Sequence, residues 1–209
     1  MKTDDLIALM AADATPARPV APVLVVSFLA VLGVAGFVFL SVIGMRDDLP
    51  GAYAQPLIAA KSVLPVGLAL LGLGFAIALA RPDGQVRLWP LSVIGVAALG
   101  LFALGMLATP TERWASGIVG QTILPCLLSI PALAVVPLGV ALVALRRGAS
   151  TAPRLSGALA GLGAGAAATA VYALHCTEDS PLFYVTWYGL AILLVTALGA
   201  ALGQRLLRW

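Results

Sequence analysis

Residues 20–44 read VAPVLVVSFLAVLGVAGFVFLSVIG, 25 positions without Asp, Glu, Lys, Arg or His. A bilayer core about 30 Å thick takes roughly 20 apolar helical residues per crossing, so this stretch reads as a membrane span. Five more runs follow at 59–80, 88–108, 123–145, 155–174 and 183–203, the first of them carrying Lys61 near its start. Such runs are too long and too uniformly apolar for the alternating strands of a membrane barrel. The expected fold class is therefore all-α: a polytopic membrane protein, a bundle of six transmembrane helices.

Composition agrees. Of 209 residues 61% are hydrophobic and 10% charged, against roughly a quarter charged in soluble domains, and the mean hydropathy is +1.06. A water-soluble globular protein is excluded. The first run follows Asp4, Asp5 and Asp13 and lacks a compact basic leader, so it reads as a retained helix rather than a signal peptide. Connections of about seven to fifteen residues leave no room for a folded loop domain. The chain divides into an N-terminal tail, residues 1–19, and a six-helix domain, residues 20–209.

Lys and Arg in short loops orient a membrane protein. With the N-terminus cytoplasmic, that side holds Lys2, Arg18, Arg81, Arg87, Arg146, Arg147, Arg154, Arg205 and Arg208; the other holds Arg46, Lys61 and Arg113. Nine against three predicts both termini inside. The net charge of +3 is thus a topology signal, and direct nucleic-acid binding, which needs a basic patch with stacking aromatics, is not expected.

Inside the spans, Gly157, Gly161 and Gly165 share one face, and Gly199 and Gly203 repeat the spacing. Small residues four apart admit close backbone approach, within one chain or in a homo-oligomer. Pro125, Pro131 and Pro137 each remove a backbone donor and predict a bent fourth span. The middle of every span lacks ionisable residues, which argues against ion or proton transport; Lys61 is expected to snorkel from the outer end of its helix. Trp89, Trp114, Trp187, Trp209, Tyr53, Tyr184 and Tyr188 mostly fall near the expected interfaces, as belt anchors do.

The chain has two cysteines and one histidine. Cys126 lies about one turn inside the fourth span and Cys176 just beyond the fifth, both at the outer face, and a short inner loop makes those helices expected antiparallel neighbours. His175, Cys176, Thr177, Glu178 and Asp179 are consecutive. Thiolate and imidazole suit a soft metal such as zinc or cadmium, and the acids would attract cations, so Cys126, Cys176, His175, Glu178 and Asp179 form a candidate metal set, with no cofactor required. The same acids disfavour a thiolate nucleophile, and there is no Cys-x-x-Cys. The residues alone leave three readings open: inert or disulfide-bonded thiols, a redox or metal sensor, or catalysis.

In the tail, Thr3 can cap a short helix, Asp4 and Asp5 suit its positive end, and Leu6, Leu9 and Met10 share a face, with Pro16 to follow. With Lys2 the only basic residue on that helix, a surface offered to a soluble partner fits better than lipid attachment.

The segments Met1-Lys2-Thr3-Asp4-Asp5-Leu6-Ile7, Gly44-Met45-Arg46-Asp47-Asp48-Leu49, Leu145-Arg146-Arg147-Gly148-Ala149, Leu174-His175-Cys176-Thr177-Glu178-Asp179-Ser180 and Leu206-Leu207-Arg208-Trp209, in this order around six spans, resemble the negative regulator of sigma-F family. These are six-span inner-membrane anti-sigma factors. The resemblance implies a non-enzymatic regulator that holds an extracytoplasmic-function sigma factor on its cytoplasmic side. It also implies release under stress from agents such as chromate or cadmium, through two cysteines that here can only be Cys126 and Cys176. Two other classes compete: a small-solute transporter or channel, and a membrane thiol oxidoreductase.

Overall fold

The computed structural model describes residues 3–12 and 19–208. Lys2, Pro16, Arg18 and Trp209 lie outside the described residues, and so do the side chains of Leu6, Leu9 and Met10. Among the described residues there are helices and no strands. They are α1 (Thr3–Ala12), α2 (Val20–Ile43), α3 (Leu49–Tyr53), α4 (Pro56–Ala78), α5 (Trp89–Ala108), a 3₁₀ turn (Thr111–Arg113), α6 (Trp114–Val119), α7 (Ile123–Leu145), α8 (Pro153–Tyr172) and α9 (Pro181–Leu206). Six of these, α2, α4, α5, α7, α8 and α9, are long and apolar enough to cross a membrane.

Proline starts four of the six. Pro56, Pro90, Pro153 and Pro181 occupy the first or second helical position, where the missing N–H is not needed and φ is already helical. This is why α4, α8 and α9 begin two or three residues ahead of their apolar runs. Pro125, expected to bend the fourth span, sits at the third position of α7, where its N–H would have had no partner inside the helix. Only Pro131 and Pro137 lie in the helix interior.

The bundle is organised around α8, the least apolar span by composition and the most enclosed, 72% of its membrane window being buried. It packs against α4, α7 and α9, with α2 against α7 and α5 against α9. The expected antiparallel neighbours α7 and α8 do pack. Chains of CH₂ gain nothing by leaving lipid for protein, so close van der Waals fit decides which helix goes inside. That favours Gly157, Ala160, Gly161, Ala164, Gly165 and Ala168, all buried. Large apolar side chains point outward instead, among them Phe37 at 74% exposed and Leu107 at 85%, a distribution that suits lipid and would aggregate in water.

The glycine faces meet within the chain. A Cβ on Gly157 would fall inside contact distance of the Gly199 carbonyl oxygen and 2.6 Å from the Gly203 Cα, and one on Gly161 would sit 3.0 Å from the Thr196 Cα. The small-residue spacing is therefore consumed by α8 against α9.

Alternating spans give the bundle two ends. One, the arginine end, gathers Arg81, Arg87, Arg146, Arg147, Arg154, Arg205 and Arg208. There the α7–α8 loop is tied to the turn after α4 by the Ala149 N–H donating to the Ala80 carbonyl at 2.8 Å. The other, the thiol end, holds both cysteines.

Candidate functional site at the thiol end

Cys126 lies in the first turn of α7, fully buried; Cys176 lies just past α8, 2% exposed; both are free thiols. The chain turns after Tyr172, whose carbonyl accepts from the N–H groups of His175 and Cys176 at 3.0 and 3.1 Å, so the α8 terminus folds Cys176 back toward the core. The two thiols are close enough to interact electrostatically. Tyr172 and Tyr188 face them both, their rings 5.9 Å apart and edge to face. Tyr184 and Tyr188, expected in the interfacial belt, are thus core residues at 3% exposure. Tyr184 donates to the Leu57 carbonyl at 3.0 Å, which provides the polar partner that a water interface would otherwise supply. Trp187 stays half-buried, its Nε1–H on the Ile118 carbonyl at 2.7 Å.

Two glycines in the left-handed region aim backbone groups at the 175–179 loop. Gly44, at φ 93°, ends α2 and presents its carbonyl to His175 Nδ1 at 2.9 Å. A carbonyl can only accept, so Nδ1 is the donor in this bond. Gly120, at φ 53°, ends α6, and the next residue, Gln121, donates its N–H to Glu178 Oε1 at 2.8 Å. Only glycine adopts these angles without strain.

Asp179 anchors the loop. Arg46 Nη1 and Nη2 grip its two oxygens at 2.7 and 2.9 Å, and Lys61 Nζ donates to Oδ1 at 2.6 Å. Arg46 also holds Asp48 through Nε at 2.7 Å and Nη2 at 2.9 Å. Both cations turn a remaining donor onto the Cys176 carbonyl, Lys61 at 2.7 Å and Arg46 at 3.3 Å. Two cations and two carboxylates cancel. Lys61 does not snorkel: it is 1% exposed, because an ion pair and a carbonyl inside the bundle satisfy the ammonium where it stands. Burial by itself would raise the Asp179 carboxyl, but the hydrogen bonds from Arg46 and Lys61 outweigh it and hold the group below its usual value. The same contacts raise Arg46, through Asp179 first and then Asp48. The Arg46 hydrogen bond likewise lowers Asp48.

The structure brings Cys126 and Cys176 into one cluster and leaves the acids elsewhere. Asp179, expected to draw cations in, is already neutralised by the protein's own Arg46 and Lys61; Glu178 is engaged with the Gln121 N–H. Among the described residues no three His, Cys, Asp or Glu side chains gather as a group that could hold a metal ion. Arg46 and Lys61 are the site residues that sequence reasoning missed. The available signal was charge: five acids and three bases at one end, with one of the bases inside a span. Of the tail residues, Asp4 and Asp5 are exposed in α1.

Residues 10–209 match the family described as negative regulator of sigma F. The chain belongs to that family. It is 34% identical over 215 residues to the probable anti-sigma-F factor NrsF of Azospira oryzae, and 33% identical over 217 residues to the anti-sigma-F factor NrsF of Caulobacter vibrioides. Each alignment covers all of both chains. No solved structure matches the chain. Family membership places the chain among negative regulators of sigma F, a regulatory anti-sigma role, and six of its described helices are long and apolar enough to span a membrane.

Proposed function

We propose that this protein sits in a bacterial inner membrane with both termini cytoplasmic, holds an extracytoplasmic-function sigma factor there, and releases it when Cys126 and Cys176 react with a heavy metal or an oxidant. The observation that carries the sensing part is the shared burial of the two thiols in one cluster, with the Cys176 carbonyl clamped by Lys61 and Arg46. Chemistry at the thiols has to move that backbone. A soft ion such as cadmium enters here as the stimulus, its thiolate bonds formed with proton release. Oxidation to a disulfide passes two electrons and two protons to the oxidant. The orientation rests on the arginine count, which puts the thiol end outside and the arginine end inside.

Cys126 stands in the first turn of α7 and Cys176 just past the last turn of α8, two packed helices joined at the arginine end. A shift between them reaches the inner loop at 146–152. The tail, with Asp4, Asp5, Leu6, Leu9 and Met10, supplies the acidic and apolar surface for the sigma factor. Moving the equilibrium from 1:99 to 99:1 takes about 5.5 kcal/mol of differential binding, within the range of thiolate–metal bonds.

Cys126→Ser and Cys176→Ser are expected to leave repression intact and abolish induction, read as a sigma-dependent reporter with and without cadmium or a peroxide. Normal induction in both variants would refute thiol sensing. Deleting residues 1–19 is expected to lose the sigma factor from protein affinity-purified in mild detergent; undiminished recovery would remove the tail from the interface.

A further inference from the structure

We infer that the arginine end carries a binding site for one anionic phospholipid, in the groove between α8 and α9. The groove has a volume of about 590 Å³. Its mouth is set by Arg154 and Arg208, both exposed, with Gln204 beside them and no acid in the lining. Among the described residues neither arginine is in a salt bridge, in contrast to Arg46 and Lys61 at the other end. The shape follows from the glycine seam: Gly157 against Gly199 and Gly203 brings the two backbones together. The flanking Ala158 and Ala200 are then too small to fill the crease outside it. Leu155, Ala158 and Ala200 continue the wall along two membrane-spanning helices.

Charge complementarity chooses the occupant. Two guanidiniums without carboxylates, at the level where spanning helices leave the bilayer, match a phosphodiester bearing net negative charge. An apolar crease running from them toward the bilayer interior matches an acyl chain. A soluble acidic peptide would satisfy the arginines but would leave the crease facing lipid. Basic pockets between spanning helices take anionic headgroups for the same reason. The Leu145–Ser150 turn adds Arg146 next to Arg208 in an adjoining hollow, extending the positive field along the headgroup plane.

The test uses the full chain in nanodiscs of equal phosphatidylglycerol and phosphatidylcholine, with retained lipid read by native mass spectrometry. Wild type is expected to keep phosphatidylglycerol over phosphatidylcholine by roughly fivefold per arginine, about 25-fold for the pair. Arg154→Gln with Arg208→Gln is expected to bring the ratio to about one, whereas Arg81→Gln with Arg87→Gln, at the same end but outside the groove, keeps it. No enrichment in wild type, enrichment that survives the groove variant, or equal loss in the control variant would overturn the proposal. So would retention of inorganic phosphate by wild type in pure phosphatidylcholine discs, which would assign the groove to a free anion.

Discussion

Asp179→Asn is expected to be the most damaging polar substitution in the protein. It leaves the Lys61 ammonium, fully buried, with only the Cys176 carbonyl and a neutral amide, and it halves the carboxylates facing Arg46. Removing one partner of a buried ion pair costs about 3 to 5 kcal/mol, since the other charge stays desolvated. Thermal unfolding in detergent should show this as a clear drop in Tm. Lys61→Met is expected to cost less: Asp179 keeps both Arg46 bonds, and the stem is replaced by a chain of similar volume. Combining the two should recover part of the Asp179→Asn loss, because no orphaned ammonium remains. Additive losses would show that the ion pair is not the source of the effect.

The pH dependence carries the same signature. The Asp179 carboxyl is held low in the folded protein. Its stabilising contribution is therefore fully present above the usual carboxylate pKa, near 3.9, and is lost as pH falls through the lower folded value. Wild type should lose stability in that acid window, and Asp179→Asn should lose less there. With the Cys176 backbone freed, Asp179→Asn should also label faster with a maleimide at Cys176 and raise sigma-dependent transcription without a stimulus. A variant that melts early yet represses and labels like wild type would separate the clamp from signalling.

Gly157→Leu is expected to break the bundle at the other end. The first carbon of the new side chain would already meet the Gly199 carbonyl oxygen and the Gly203 Cα, both backbone, neither able to swing away. Overpacking of this kind costs about 1 to 3 kcal/mol where neighbours can yield, and the upper end applies because two helices must separate. The comparison is Gly74→Ala and Gly95→Ala, which meet nothing within 4 Å and should be neutral or stabilising by up to about 1 kcal/mol through helix propensity. Equal destabilisation of all three by thermal unfolding would mean that the seam between α8 and α9 is not what holds the spans together.

The resting point of each charge was less legible than the spans. Lys61 near the start of a helix looks like a snorkelling side chain, since one-dimensional position says only that water is a turn away. In three dimensions Asp179, 118 residues later, is nearer than the water. Tyr184 and Tyr188 near a helix start look like belt residues for the same reason, and burial of Tyr188 against Tyr172 and of Tyr184 against Tyr188 reassigns them. Pro125 differs from Pro131 and Pro137 only by where the helix begins, which a run of apolar residues does not mark. The thiols were legible as a pair because the count of spans places both at one end.

Residue order is enough to specify a six-span helical chain with its cysteines at one end and most of its arginines at the other. Hydrocarbon thickness and the need to satisfy every backbone group inside lipid act on single segments, so length and composition suffice to read them. Tertiary packing alone establishes that Asp179 pairs with Arg46 and Lys61, that α8 is the enclosed helix, and that the glycine faces meet within one chain. Those outcomes depend on side chains brought together from distant parts of the sequence, at distances of 3 Å that no spacing along the chain encodes.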